Sequence, residues 1–289
     1  LCRAPLPRGF KGLTVFSSYC FWEYAGECRV DAIGILLLFL LADQYPHRFR
    51  RPILYGTLLA LLFNANAHVM PAAGALTLAY GIELILQRRR SLREWVAPVL
   101  AVLGALLAIW SLGVFSIGVI ERATEPVAML RNVMRGGVEC FFLGVGSPLT
   151  LVPAALLVLG IAVAPLLRRP IPLLLLGCQA AGLMLIVALK GGGMRHHGLL
   201  QVGILCSYWI AAYYPDSDWL PRRWTLGWPA TDRLKSVALL MLAFTYVFSL
   251  PSGLWIYQFD LRRDYSGTRK MAKELLVHQA DQYPIAVHP

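Results

Sequence analysis

Arg195, His196 and His197 stand side by side in the segment "ALKGGGMRHHGLL" (Ala188 to Leu200), between two strongly apolar runs. An arginine presents a planar fork of donors that matches phosphate or carboxylate. The histidines can act as acid, base or hydrogen-bond donor near neutral pH. Gly198 lets the chain approach closely as a helix begins, where unpaired N–H groups favour anions. An anionic ligand is one reading of this cluster, and an interfacial turn contacting lipid headgroups is another. No metal is expected. Adjacent histidines on a helix point about 100° apart, and no acidic or cysteine partner follows at ligand spacing.

Three further stretches carry polar chemistry. In "WEYAGECRVD" (Trp22 to Asp31), Glu23 and Glu27 share a helix face, with Arg29 and Asp31 beyond. Paired carboxylates suit acid–base work, or they can pair with Arg29 and simply finish a span. "NANAH" (Asn64 to His68) places two asparagines and His68 at a turn, where they must satisfy one another or face water. "TEPVAMLRNVMRGG" has Thr124 as an N-cap, Pro126 in the first turn and Gly136–Gly137 as a stop. Its Val127, Leu130, Val133 and Met134 fall on one face, and Arg131 and Arg135 on another. That pattern predicts a helix near 124–136 lying in a membrane surface, either as a connector or as a lid whose arginines meet phosphates. Glu83 and Lys190 read as residues snorkelling from span ends. Cys28 and Cys140 are a possible disulfide pair; most of the other cysteines read as small apolar residues within spans.

The elements that must position these residues follow from composition. The 289 residues are 57% hydrophobic and only 15% charged, against about 25% charged in soluble domains. Apolar runs of membrane-spanning length recur along the chain, which identifies an all-α, polytopic transmembrane bundle. The net charge of +11 comes from Lys and Arg in short loops between those runs. This is the positive-inside pattern, and it argues against a nucleic-acid partner. Walker, GxGxxG, GxSxG and HExxH motifs are absent from the sequence, and no cofactor is implied.

Alternating apolar runs and basic loops give about nine spans. They are Phe10–Gly26, Ala32–Tyr45, a hairpin from Ile53 turning at "NANAH" and returning from Pro71, then Trp95–Ile120, Leu151–Leu167, Leu173–Leu189, Gly198–Tyr214 and Ser236–Tyr257. The hairpin is required because Ile53 to Leu86 is too long for one crossing and both its ends are basic. The transmembrane domain then covers 1–257, and 258–289 opens an outer soluble domain. The N-terminus is cytoplasmic, and every polar candidate falls on the outer side. The chain reads as a piece of a longer protein.

The segments "FWEYAGECRVDAIGILLLFLLA", "LYGTLLALLFNANAHVMPAAGAL" and "MRHHGLLQVGILCSYWIA" resemble the GT-C glycosyltransferase superfamily, in particular protein mannosyltransferases and aminoarabinose transferases. The resemblance covers most of the chain from about Phe10. It implies a multi-pass enzyme of a bacterial inner membrane, moving a sugar from a polyprenyl-phosphate carrier to an acceptor on the outer face. On this basis Arg195, with His196 or His197, would hold the carrier phosphate, and Glu27 and Arg29 would border sugar or acceptor. The family's catalytic Asp or Glu would lie upstream of Leu1. One departure is Asp31, where the pattern expects an aromatic. A transporter or flippase of an anionic amphipathic lipid, or a membrane scaffold without chemistry, are the alternative classes.

Overall fold

A computed structural model describes residues 1–17, 20, 30–88, 91–115, 126–142, 148–190, 194–217, 219 and 231–262. Every secondary-structure element among them is helical. In chain order these are α1 (Arg8–Val15), α2 (Val30–Gln44), α3 (Pro52–Ala65), α4 (Met70–Leu86), α5 (Leu92–Phe115), α6 (Pro126–Phe141), α7 (Val152–Val163), α8 (Pro170–Lys190), α9 (Met194–Ala211) and α10 (Thr231–Arg262). Short 3-10 turns extend α2 at Tyr45–His47 and flank α7 at Pro148–Leu151 and Ala164–Leu166.

Local sequence explains the boundaries. Proline stands in the first turn of α3, α4 and α7, where its missing N–H costs nothing and its fixed φ suits a helix. Arg88, just past α4, adopts a left-handed φ of 49°, the conformation that commonly ends a helix. The predicted hairpin is present as α3 and α4, joined through Asn66–Val69.

Among the described residues, three helices are long and apolar enough to cross a membrane: Leu92–Ser111 in α5, Pro170–Leu189 in α8 and Thr231–Trp255 in α10. The sequence reading expected about nine spans. Two physical features account for the smaller number. The apolar helices Pro52–Ala65, Met70–Leu86 and Val152–Leu166 are shorter than the ~20 residues a full crossing takes. The helix α9 has the length but opens on Arg-His-His and carries Gln201. Within the expected first span, α1 covers only Arg8–Val15. The tail from 263, and with it the expected outer domain, lies outside the described residues.

The core is organised around α9, in which every residue from His196 to Ala211 is buried. A helix without a polar stripe belongs inside a bundle, and α2, α6 and α8 pack against this one. Two buried amides fasten it to its neighbours. Gln201 Nε2–H donates to the Cys140 carbonyl on α6, and Gln179 Nε2–H on α8 donates to the Leu199 carbonyl.

Elsewhere, helices meet through small residues, as lipid-embedded helices do. On α3 and α5, a Cβ added at Gly104 would lie 2.5 Å from the Ala60 Cα, and one at Gly56 would lie 2.7 Å from the Ala97 Cα. Asn64 Nδ2–H donates to the Gly104 carbonyl across the same contact at 2.9 Å. Gly104→Val should therefore push α3 and α5 apart and destabilise the bundle by about 1–3 kcal/mol. Thermal unfolding in detergent measures this, and an unchanged midpoint would refute the tight crossing. On its other side α5 exposes Val99, Val102, Leu103, Leu106, Ile109 and Trp110, an apolar face suited to lipid.

The basic end of the bundle is held by buried polar groups. Arg48 gives Glu83 two bonds, Nε–H to Oε2 at 2.9 Å and Nη2–H to Oε1 at 2.6 Å. Tyr45 and Tyr214 donate their hydroxyls to the same carboxylate. Glu83 is thus a paired, buried anion rather than the snorkelling residue its place near a helix end predicts. The Lys190 side chain lies outside the described residues. Arg169 pairs with Asp216 at 2.9 Å, and Arg3 with Asp43 at 3.3 Å.

Candidate functional site at the polar end of the bundle

The opposite end gathers side chains from four separate elements. The turn between α3 and α4 brings Asn66 and His68, the first turn of α2 brings Asp31, α9 brings His196 and His197, and α6 brings Arg135 and Glu139. Asp31 is 2% exposed and accepts a hydrogen bond from Asn66 Nδ2–H. The other amide atom of Asn66, Oδ1, lies 3.0 Å from His68 Nδ1 and also accepts the His68 backbone N–H. The turn is thereby fixed by its own polar groups, as buried polar backbone and side chains require. The His68 ring then stacks on His196, with centroids 3.5 Å apart and planes 9° from parallel.

A second chain of contacts runs from α9 to α6. His197 Nδ1 lies 3.0 Å from Glu139 Oε2, and the other carboxylate oxygen accepts Arg135 Nε–H at 2.5 Å. The His197 side chain is 1% exposed, and its second nitrogen, Nε2, is buried with no hydrogen-bond partner among the described residues. Gly136 lies over this ring: a Cβ there would sit 3.0 Å from Nε2 and 3.2 Å from Val187 Cγ1. The absence of a side chain at Gly136 is what lets α6 approach α9 so closely.

This contact corrects the expected helix end. Gly136–Gly137 does not stop the helix, which runs on to Phe141. Tertiary contact outweighs the ~1 kcal/mol penalty of a glycine in a helix interior. The apolar face of α6 is also divided. Val127 and Leu130 are exposed, whereas Val133 and Met134 face a groove. Cys140, expected as a possible disulfide partner, is a buried free thiol against α9.

That groove has a volume of about 290 Å³ and lies between α6, α7, α8 and Leu200 of α9. Val138, Leu156, Leu159 and Met184 are among its walls. It shares α6 and α9 with the polar cluster: Gly137 follows Gly136, and Leu200 stands one turn beyond His197.

Electrostatics set the state of Glu139. Burial alone would raise its carboxyl, but the hydrogen bonds from His197 and Arg135 outweigh this and hold it below the usual glutamate range. A group with a depressed folded value contributes stability above its unfolded value, and loses it as pH falls through the folded one. The protein should therefore keep its melting midpoint down to about pH 4.3, the ordinary glutamate value, and lose stability below it. The Glu139→Gln variant should lose less over that interval. Parallel loss in both proteins would show that the carboxylate is not held in this way.

Among the residues singled out from sequence, the structure brings His68, His196, His197 and Arg135 to one end. Arg131 is exposed on α6. Arg195 stands in the first turn of α9, but its side chain, with Glu23, Glu27 and Arg29, lies outside the described residues. Sequence reasoning passed over Glu139, whose signal was its place four residues after Arg135. Asp31 stood in the sequence reading beyond the Glu23–Glu27 pair and as a departure from a pattern, without a role of its own. Among the described residues, no three His, Cys, Asp or Glu side chains are grouped to hold a metal ion. Compared with protein-family models, curated proteins and solved structures, the chain matches none.

Proposed function

We propose that the protein is a membrane glycosyltransferase of the bacterial cytoplasmic membrane. It takes a sugar from a polyprenyl-phosphate carrier and passes it to an acceptor at the outer face. The observation that carries this reading is the pairing of two unlike surfaces at one end of the bundle. A polar cluster with a buried histidine nitrogen shares α6 and α9 with an apolar groove of about 290 Å³. An amphiphile with a phosphate head and a hydrocarbon tail has that division of chemistry.

The topology supports the same side. Arg48, Arg169 and Arg3, each tied to a carboxylate, mark the end away from the cluster, and basic loops favour the cytoplasm. The cluster then faces outward, with the shorter helices completing the crossing alongside the three long ones. On this reading Arg195 and His196 meet the carrier phosphate at the start of α9, where helix N–H groups add to the attraction. Arg131 and Arg135 lie near lipid phosphates at the surface.

A flippase would need a polar route through the bundle. Beside the middle of α9, the cavity lined by Gln179, Cys206 and Ser207 measures about 10 Å³, close to the space of a single water. This tight packing beside α9 favours a one-sided site. A photoactivatable polyprenyl phosphate in reconstituted vesicles tests the placement. Crosslinks should fall on α6 and α8, at Val133, Met134 and Met184. Labelling confined to the exposed face of α5 would reject the groove as the carrier site.

A further inference from the structure

The end of the bundle away from the polar cluster keeps several arginines on its surface. The helices α3 and α5 run side by side in the same direction, since Gly56 meets Ala97 and, further along, Ala60 meets Gly104. Arg51, just before α3, and Arg93, in the first turn of α5, therefore come to one end. The Phe49 ring lies 4.8 Å from that of Tyr80, whose hydroxyl donates to the Glu94 carbonyl at 2.9 Å. These contacts bring Arg50 and the second half of α4, with Arg88 just past it, to the same place. All four arginines are exposed, and none of them pairs with a carboxylate among the described residues. The acids of α4 and α5 do not offset them at the surface: Glu83 and Glu94 are buried, Glu83 under Arg48. Arg88 also holds a left-handed φ that glycine would adopt without strain, so a guanidinium stands there at a conformational cost.

Apolar side chains border these cations. Ile53 and Ile85 are exposed beside them, Leu86 and Leu92 are 72% and 87% exposed, and Trp95 is exposed one turn into α5. Tryptophan at the end of an apolar helix marks the headgroup level of a bilayer. Cations flanked by aliphatic groups at that level fit an anionic head joined to acyl chains, whereas a soluble anion would leave the apolar groups uncovered. We propose that the shared end of α3, α4 and α5 is a binding site for an anionic phospholipid of the cytoplasmic leaflet, with Arg51 and Arg93 holding its phosphate and Arg50 and Arg88 beside them. The site rests on the membrane placement in the proposed function and not on the transfer chemistry. Four like charges that no surface carboxylate offsets repel one another, so a bound phosphate also stabilises this end of the bundle.

Native mass spectrometry of the chain in an uncharged detergent, titrated with phosphatidylglycerol or phosphatidylcholine, tests this. Phosphatidylglycerol should bind about tenfold tighter or more, and should raise the melting midpoint where phosphatidylcholine does not. An arginine beside anionic lipid accounts for about fivefold in affinity. Arg51→Gln together with Arg93→Gln should therefore weaken phosphatidylglycerol binding by about twenty-five-fold, with phosphatidylcholine binding and helicity unchanged. Equal binding of the two lipids by the wild-type protein would overturn the proposal without any variant. So would a preference that survives the double substitution. Displacement of the lipid by millimolar inorganic phosphate would overturn it too, by marking a site for soluble anions. A preference for phosphatidylglycerol in a protein that transfers no sugar would sink the transferase reading and leave the lipid site standing. A chain that retains neither lipid and stays dispersed without detergent would remove the membrane placement, and this site with it.

Discussion

On the proposed transferase reading, Arg195→Ala should lower transfer from a polyprenyl-phosphate donor by about a hundredfold or more, the usual loss when a donor to developing charge is removed. Insertion and melting should stay at wild-type values. Charge develops on the phosphate as it leaves, so a cation aimed there acts more strongly in the transition state than in the bound substrate. Arg195 stands in the first turn of α9, next in sequence to His196 and His197 of the polar cluster, and is the only arginine between Ala188 and Leu200. Arg195→Lys keeps the charge but loses the fork, and should recover only part of the rate. Initial rates with a radiolabelled donor in vesicles measure both variants. Full activity in Arg195→Ala would end its phosphate role, whereas loss of folding in that variant would mark the residue as structural.

The second large effect lies at the other end of the bundle. Arg48→Met should destabilise the protein by about 3–5 kcal/mol, because it leaves a buried carboxylate without its cation. Only 10% of the Arg48 side chain and 6% of the Glu83 side chain are exposed, so water cannot replace the lost partner. The guanidinium also lies 4.0 Å over the Tyr45 ring and 4.6 Å over Phe49, a contact that methionine reproduces only as apolar area. Adding Glu83→Gln to Arg48→Met removes the stranded charge. It keeps an oxygen for the hydroxyls of Tyr45 and Tyr214. The double variant should therefore melt above the single one, a coupling that thermal unfolding of the full cycle resolves. Equal midpoints for the two would show that the pair is not isolated from solvent.

Much of the helical layout was legible because bilayer thickness is a hard constraint. The stretch from Ile53 to Leu86 exceeds one crossing and is basic at both ends, so a turn at the polar Asn64–His68 follows, and α3 and α4 bear it out. The gathering of His68 with His196 follows from the same alternation, since both stand near the starts of helices, α4 and α9, that begin from one side. Pairings set by tertiary contact were not legible. Glu83 and Arg48 are far apart in sequence, and nothing local distinguishes a buried ion pair from a snorkelling carboxylate. The run of α6 through Gly136–Gly137 is likewise invisible locally. Two glycines read as a stop until the His197 ring is seen to need that space. The number of full-length spans differs because α3, α4 and α7 hold only 14, 17 and 12 residues, short of the ~20 that a full crossing takes.

The central claim is that the polar end of the bundle breaks a sugar–phosphate bond on a lipid carrier. The most direct measurement follows purified protein in vesicles with a polyprenyl-phosphate-linked sugar and a hydroxyl acceptor, and quantifies free polyprenyl phosphate over time. The account predicts its steady release, coupled one to one with glycosylated acceptor, by wild-type protein and not by the Arg195→Ala variant. An intact carrier that moves between leaflets without release of polyprenyl phosphate would contradict it and establish a flippase instead.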